Sequence, residues 1–246
     1  MKLVLLRHGE SQWNLENRFT GWTDITLTKA GENEAAYSGE QLRKNNIKIK
    51  TVYTSLLDRA IQTADIVTSI INFPQKDIQY DWRLNERHYG ALQGLNKSET
   101  AMKYGEEQVQ IWRRSYDVPP PPLSKNDKRH PKLSEKFKNI TGNLPVGESL
   151  MHVIDRLKPF WDEYVNDVLK TGDSHLLVAH SNSLRGIVKI LDRLSEDEIV
   201  SVNIPTGVPL VYTLDKELRV LNKQYLISKK ELEAKEESII NQGKAK

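Results

Sequence analysis

Cysteine is absent from this sequence of 246 residues. Its absence excludes a disulfide framework, a thiolate nucleophile, and zinc or iron–sulfur sites with cysteine ligands. Long hydrophobic runs are absent as well, since the longest apolar run near the start covers only residues 3–6. That run is too short for a signal peptide or a membrane-spanning helix. We therefore expect a cytoplasmic protein with no membrane partner.

Neither sign of charge is in large excess, since 36 Lys and Arg residues are nearly balanced by 33 Asp and Glu residues. The formal net charge of +3 is too small to indicate a nucleic-acid partner, so any functional positive charge must be local. The sequence has no close metal-ligand spacing such as H-E-x-x-H and no phosphate loop of the form G-x-x-x-x-G-K-[ST]. We expect no metal ion and no kinase of the P-loop class.

What is present is an alternation of short apolar segments and amphipathic helices. The sequence predicts strands over residues 2–6, 51–54, 175–179 and 209–214, and helices after Thr28 and over residues 57–70, 149–169 and 187–194. This alternation predicts an α/β fold, a three-layer sandwich with a mostly parallel central sheet and helices on both faces.

We expect residues 1–246 to form a single domain. Residues 81–147 contain no long periodic element and include four consecutive prolines, residues 119–122, so this segment is predicted to be an insertion or lid. Residues 229–246 are charged and rich in lysine, and they are predicted to form a mobile tail, either a solvated helix or a cover over the site.

Two histidines each follow an apolar strand of this pattern. His8 comes after residues 2–6, and His180 comes after residues 175–179. Ligands of such sheets bind beyond the carboxyl ends of the strands, so we expect both histidines at one edge. His8 also has Arg7 beside it, and a guanidinium binds phosphoryl oxygens in pairs. An isolated histidine of this kind is usually satisfied by ordinary hydrogen bonds, but its context here favours a phosphoryl site.

Longer motifs extend this pattern over nearly the whole chain. They are LLRHGESQWN (5–14), RFTGWTD (18–24), YTS (53–55), RAIQT (59–63), WRLNERHYG (82–90), WRRSY (112–116) and NIPTGVPL (203–210). With these motifs the chain resembles the cofactor-dependent phosphoglycerate mutases of the histidine phosphatase superfamily. The Arg-His-Gly core is shared by the superfamily, whereas the motifs at 82–90 and 112–116 are more specific to the mutase branch.

The resemblance implies a role for each matching residue. His8 would be the nucleophile that becomes phosphohistidine, and Glu86 would give and take protons. His180, Arg7 and Arg59 would stabilise the transferring phosphoryl group. Substrate contacts are implied for Ser11, Asn14, Thr20, Gly21, Arg87, Tyr89, Lys97, Arg113, Arg114, Ser181 and Asn182. Without the motifs, Glu86 would be interpreted as an ion pair with Arg83 or Arg87, and the adjacent arginines as a solvated helix face.

The same resemblance implies an isomerase of glycolysis and gluconeogenesis. It would interconvert 3-phosphoglycerate and 2-phosphoglycerate, primed by 2,3-bisphosphoglycerate as the phosphoryl donor, and it would be a homodimer or homotetramer. Ser11 and Gly21 follow the mutase pattern rather than that of a bisphosphoglycerate synthase or phosphatase. A broader histidine phosphatase, in which water accepts the phosphoryl group, is a further alternative. The mutase is favoured over it by the pattern of Lys97, Arg113 and Arg114.

One departure from the family pattern leaves a further alternative open. Ser181 stands where the family usually has glycine, directly after the second histidine. If the backbone there needs a positive φ or a close ligand approach, the extra β-carbon adds strain of about 1–2 kcal/mol. The chain could then be an anion-binding protein that is impaired in catalysis.

Overall fold

The computed structural model describes residues 1–167 and 169–241. Its strands are β1 (Lys2–Arg7), β2 (Ile49–Thr54), β3 (Gln79–Tyr80), β4 (Ser174–Ala179), β5 (Leu210–Leu214) and β6 (Val220–Tyr225). They form one six-stranded sheet in the order β3-β2-β4-β1-β5-β6. Neighbouring pairs among β1 to β4 are parallel, and β5 runs antiparallel to both β1 and β6. The sheet is therefore mostly parallel, as predicted.

Helices cover both faces of this sheet. They are α1 (Gln12–Leu15), α2 (Lys29–Lys44), α3 (Asp58–Ile70), α4 (Lys97–Tyr104), α5 (Glu106–Arg114), α6 (Leu150–Asp167), α7 (Ser181–Asp192), α8 (Glu196–Ser201) and α9 (Lys229–Asn241). Successive side chains of a strand point to opposite faces. In β1, Leu3 and Leu5 pack with α6 and α7, whereas Val4 and Leu6 pack with α2 and α3. The three-layer α/β sandwich is thus confirmed.

The sequence predicts most of these elements but misses six of them, which are β3, β6, α1, α4, α5 and α8. β3 has only two residues, and β6 is polar and largely exposed, so neither gives a hydrophobic pattern. α4 and α5 are short helices separated by Gly105 and lie inside the segment 81–147, which otherwise consists of loops, turns and four three-residue 3-10 helices. None of the helices that the structure describes has the length and hydropathy needed to cross a membrane.

The sheet brings the two strand-end histidines together. β1 and β4 are parallel neighbours in which Arg7 pairs with Ala179, and the His8 backbone N–H donates to the Ala179 carbonyl at 3.0 Å. α7 begins directly after His180, six residues earlier than predicted, because its first turn is polar and shows no apolar periodicity. Side chains from the first turn of α7 consequently lie beside both histidines.

Candidate active site

His8 presents an unprotonated nitrogen in a buried position. Its Nδ1 lies 2.7 Å from the Gly9 carbonyl oxygen, which can only accept, so Nδ1 carries the proton. Arg59 Nε donates to the other nitrogen, Nε2, at 3.2 Å. Burial, with the charges of Arg59 and then Arg7, holds the pKa of His8 well below its ordinary value of 6.5. His8 is therefore a neutral imidazole whose Nε2 lone pair can attack an electrophile.

His180 lies against His8 and is oriented by a serine that the sequence reasoning did not assign. The two imidazole rings are 4.9 Å apart between centroids, and Ser55 Oγ lies 2.7 Å from His180 Nε2. The Leu57 backbone N–H donates to Ser55 Oγ at 3.2 Å, which directs the hydroxyl proton towards Nε2. Nδ1 then carries the His180 proton, and it has no hydrogen-bond partner among the described residues. This buried N–H is an unused donor on a ring that lies against the His8 ring.

Arg7 and Arg59 place positive charge beside the His8 ring. Arg7 Nη1 donates to the Ile204 carbonyl at 2.9 Å, and Arg59 donates to the carbonyls of Gly21 and Thr23 at 2.8 and 3.1 Å. Burial lowers the pKa of Arg7, and it lowers the pKa of Arg59 to about 10. Carbonyl oxygens fix both side chains without neutralising them, so their charge is available to an anion.

Glu86 faces the same cavity and is held by backbone and amide donors. Its Oε1 accepts from Arg87 N at 2.8 Å, from Asn182 N at 3.1 Å and from Asn182 Nδ2 at 2.9 Å. Arg83 instead pairs with Asp81 and Glu163. The Arg87 guanidinium donates to the carbonyls of Trp112 and Arg113. The alternative interpretation of Glu86 as an ion pair is therefore wrong.

One cavity collects most of the predicted residues. It is lined by Arg7, His8, Asn14, Thr20, Gly21, Arg59, Glu86, Tyr89, Lys97, Arg113, Arg114, Ser181 and Asn182 of the predicted set, together with Arg18, Phe19, Arg185 and Ile239. Three predicted residues, Ser11, Arg87 and His180, lie outside this lining. Among the described residues, no group of three or more metal-ligating side chains is placed to hold a metal ion.

The three residues outside the lining support its walls in different ways. Ser11 is fully buried and caps α1, with its Oγ 2.9 Å from Asn14 Oδ1. Arg87 is also fully buried, and its guanidinium lies 4.5 Å from the centre of the Tyr89 ring. His180 is fully buried against the His8 ring. The structure thus places Ser11 and Arg87 where they position neighbouring side chains that do face the cavity.

A second group of cations lines the same cavity. Lys97, Arg113 and Arg114 come from α4 and α5, and Arg185 comes from α7. Burial and neighbouring positive charge lower all four pKa values, to about 10 for Arg113 and about 9 for Arg185. Cations that lower one another's pKa in this way gain free energy when an anion binds between them. Arg185 was not predicted, because its position in α7 does not stand out in the sequence.

Ser181 does not carry the strain that the sequence suggested. It is the first residue of α7, and it is not among the described residues with positive φ. A serine adopts this helical conformation without strain, so the expected cost of about 1–2 kcal/mol does not arise. Backbone strain therefore gives no support to an impaired anion-binding protein, and the effect of the serine β-carbon on a ligand that approaches closely stays a prediction.

Part of the predicted tail lies at the mouth of the cavity. Lys235 Nζ in α9 lies 2.6 Å from Glu34 Oε1 and 3.4 Å from the Thr206 carbonyl oxygen. Ile239 lines the cavity, and its carbonyl lies 3.5 Å from Arg113 Nη2. Residues 242–246 of the predicted tail lie outside the described residues. The mobility of the tail stays a prediction.

Comparison with known proteins identifies the family. A sequence profile of the histidine phosphatase superfamily, branch 1, matches residues 3–223. A mycobacterial glucosyl-3-phosphoglycerate phosphatase has a TM-score of 0.69 and 21% identity, covering 91% of this chain and 96% of its own. A putative alpha-ribazole-5'-P phosphatase from Escherichia coli has a TM-score of 0.68 and 20% identity, with 93% and 96% covered. YhfR from Bacillus stearothermophilus has a TM-score of 0.65 and 24% identity, with 89% and 93% covered.

These similarities correct one expectation from the sequence. Two of the three structures are named as phosphatases, which are hydrolases, and this contradicts the predicted isomerase class. The mutase assignment and its place in glycolysis are likewise not supported. The motifs are shared across the superfamily in their Arg-His-Gly core, and the choice between water and a sugar acid as phosphoryl acceptor is not visible in them. With its profile match and its fold, the chain belongs to branch 1 of the histidine phosphatase superfamily.

Proposed function

We propose that this protein is a phosphatase that hydrolyses small phosphomonoesters through a phosphohistidine at His8. The observation that carries the proposal is the neutral His8 ring, whose Nε2 faces a cation-lined cavity with Glu86 in its wall. A nucleophile, charge stabilisation and a proton carrier are the three parts that phosphoryl transfer through an enzyme intermediate requires.

In the first step, the His8 Nε2 lone pair attacks phosphorus while the bond from phosphorus to the ester oxygen breaks. The departing alkoxide takes the proton of the Glu86 carboxyl group and leaves as an alcohol. Arg7, Arg59 and the His180 Nδ1 proton bind the phosphoryl oxygens as charge redistributes over them. His8 Nδ1 keeps its proton, which the Gly9 carbonyl holds.

In the second step, water attacks the phosphorus of phosphohistidine and Glu86, now a carboxylate, takes a proton from it. The nitrogen–phosphorus bond breaks, and its electron pair returns to Nε2 as inorganic phosphate leaves. Glu86 is then protonated again and His8 is neutral again. The cycle consumes one water molecule for each ester bond, and none of its steps requires a metal ion.

The two cation groups define the substrate class. Arg7 and Arg59 lie beside His8, while Lys97, Arg113 and Arg114 add three more cations to the same cavity, which suits a second anionic group. A phosphate ester of a short hydroxy acid presents two such groups, as 3-phosphoglycerate, 2-phosphoglycerate and 2,3-bisphosphoglycerate do. The similarity in fold to a phosphatase named for a phosphoglycerate ester supports this choice. In this proposal 2,3-bisphosphoglycerate donates a phosphoryl group to His8, and water then hydrolyses the phosphohistidine to inorganic phosphate.

The test is release of inorganic phosphate from these three phosphoglycerates, compared with a phosphate ester that has no second anionic group. The parent is assayed beside His8→Ala and a control, His152→Ala, which changes an exposed histidine. We expect phosphate release that depends on His8, persists in the control and is faster with the phosphoglycerates. Interconversion of 3- and 2-phosphoglycerate without phosphate release would overturn the proposal, and so would release that survives His8→Ala.

A further inference from the structure

Arg185 is a buried arginine of the cavity wall whose charge has no carboxylate partner. Its side chain is 2% exposed, and it forms no ion pair within residues 1–167 and 169–241. Its Nη2 donates to the Ile199 carbonyl near the end of α8 at 2.7 Å, and its Nη1 donates to Asn182 Oδ1 at 3.0 Å. Arg185 therefore bridges a fixed backbone oxygen and the side chain of Asn182.

This bridge determines which way the Asn182 amide points. With Oδ1 accepting from Arg185, the Nδ2 group faces Glu86 Oε1 at 2.9 Å. A flipped amide would set Oδ1 against the carboxylate oxygen, and it would set Nδ2 against the guanidinium. The first contact would then place two acceptors against each other, and the second would place two donors against each other. The guanidinium, which can only donate, thus selects the orientation in which Asn182 donates to Glu86.

The orientation of Asn182 in turn distinguishes the two oxygens of Glu86. Oε1 accepts three N–H donors, two from Asn182 and one from Arg87 N. Oε2 accepts no hydrogen bond from the residues that the structure describes. A proton on the carboxyl group therefore resides on Oε2, since Oε1 is already surrounded by donors.

We propose that Arg185 is a positioning residue for proton transfer, which acts on Glu86 through the amide of Asn182. The inference rests on the proposed function, in which Glu86 protonates the leaving group. Two of the donors to Oε1 are backbone N–H groups, and the third, Asn182 Nδ2, is the one that Arg185 holds in place. A flipped amide would instead turn an acceptor, Oδ1, towards Oε1 and would favour a proton there. By preventing this flip, Arg185 keeps the proton on Glu86 Oε2, the oxygen that delivers it to the departing alkoxide. An arginine that only attracted the substrate anion would affect binding, and it would not affect how strongly the reaction depends on the leaving group.

The test compares two esters of similar size with different leaving groups. Benzyl phosphate releases an alkoxide that needs a proton, and p-nitrophenyl phosphate releases a stable phenolate that does not. In Arg185→Met and Arg185→Lys, we expect kcat/KM for benzyl phosphate to fall about tenfold further than for p-nitrophenyl phosphate, a part of the usual general-acid effect. Lysine keeps the charge but cannot make the two-armed bridge, so it should not rescue.

Equal losses on both esters, or full rescue by Arg185→Lys, would overturn the inference, because a bound anion or a structural role explains either result. A double-mutant cycle with Asn182→Ala provides a second criterion. If Arg185 acts through Asn182, then Arg185→Lys adds little leaving-group dependence in the Asn182→Ala background. Additive effects in that cycle would contradict the inference, and thermal unfolding of each variant identifies those that do not fold.

Failure of the proposed function looks different from failure of this inference. If the parent releases no phosphate from p-nitrophenyl phosphate in a reaction that depends on His8, the proposed function is wrong. If the parent hydrolyses both esters through His8 and the Arg185 variants lose both activities equally, only the inference about Arg185 is wrong.

Discussion

Ser55 Oγ lies 2.7 Å from His180 Nε2 and joins the carboxyl ends of two adjacent parallel strands, β2 and β4. The Leu57 backbone N–H donates to the same oxygen, so the hydroxyl proton points towards the imidazole. Ser55 thereby sets the tautomer in which His180 Nδ1 carries a proton beside His8. Ser55 is not among the residues that line the cavity, so under the proposed function it acts through the orientation of His180.

Removing this hydroxyl should slow the chemical step. In Ser55→Ala we expect kcat to fall about tenfold, the equivalent of one hydrogen bond of roughly 1.4 kcal/mol, with KM little changed. Ser55→Thr keeps the hydroxyl and should retain most of the activity, and Ser69→Ala at an exposed position is the control. Steady-state phosphate release measures all three, and an unchanged kcat in Ser55→Ala would refute the role.

The charge of Arg59 should set the acid limit of activity. Burial comes first among the causes that keep the pKa of His8 well below 6.5, and Arg59 and Arg7 add to it. His8 thus stays a nucleophile well below pH 6.5. In Arg59→Met one positive neighbour is lost, so the pKa of His8 rises and the acid limb of kcat/KM moves to higher pH. Arg59→Lys keeps the charge and should leave the limb in place.

This prediction is measured as the pH profile of kcat/KM for one substrate with the parent and both variants. Because the same substrate is used throughout, its ionisation affects every profile equally and does not change the difference between parent and variant. The overall rate should fall in Arg59→Met as well, since the guanidinium also binds phosphoryl oxygens. An acid limb at the same pH in the parent and in Arg59→Met would show that Arg59 does not influence His8.

Buried neutral histidines should make the fold less stable in acid. Burial and then Arg156 lower the pKa of His88 to about 3, and burial also lowers the pKa values of His8 and His180. The unfolded chain binds these protons near pH 6.5, whereas the folded chain does not, so stability decreases as pH falls below 6.5. Each such histidine lowers the free energy of unfolding by about 1 kcal/mol between pH 6.5 and 5.5.

Urea denaturation at a series of pH values measures this effect. His88→Gln removes one of the three histidines, so its free energy of unfolding should fall less steeply over that interval. The variant will be less stable than the parent at pH 7, since Gly90 N donates to His88 Nδ1 at 3.0 Å in a buried site. A pH dependence equal to that of the parent would contradict the account.

The ion pair between α9 and α2 should hold the end of the chain near the cavity. Lys235 Nζ lies 2.6 Å from Glu34 Oε1, and both side chains are only partly exposed. Lys235→Met should increase hydrogen exchange in α9 by about fivefold, the effect of roughly 1 kcal/mol for such a pair. Lys230→Met, at an exposed position of the same helix, is the matched control. Equal exchange in the parent and in Lys235→Met would show that the pair does not anchor α9.

The pattern of strands and helices predicted which residues meet at the sheet edge, whereas the residues of the cavity walls followed mainly from the family resemblance. His8 and His180 were placed correctly because each follows an apolar strand, and parallel strands end at one edge. Thr28 was correctly predicted to cap α2, and it accepts from Gly31 N at 3.0 Å. Arg185 was missed because it lies before the predicted helix at 187–194, and its burial depends on a contact with α8 that the sequence does not show.

The expected strain at Ser181 and the expected isomerase class were not borne out, because both depend on features that a sequence motif does not show. Ser181 was expected to strain the backbone, yet the helix starts at that residue and its φ is ordinary. The isomerase class was wrong because the same nucleophile, arginines and carboxyl group serve transfer to either acceptor. Which molecule accepts the phosphoryl group depends on how water reaches phosphohistidine, a property of the assembled cavity.

The most direct test of the central claim is to trap the phosphoenzyme by rapid quenching and follow its decay. The account predicts an alkali-stable, acid-labile phosphoryl group on His8, which decays into water as fast as inorganic phosphate appears in steady state. Phosphate release without any phosphoryl group on His8 would contradict the account. A phosphoryl group that decays only when a phosphoglycerate is supplied as acceptor would contradict it as well.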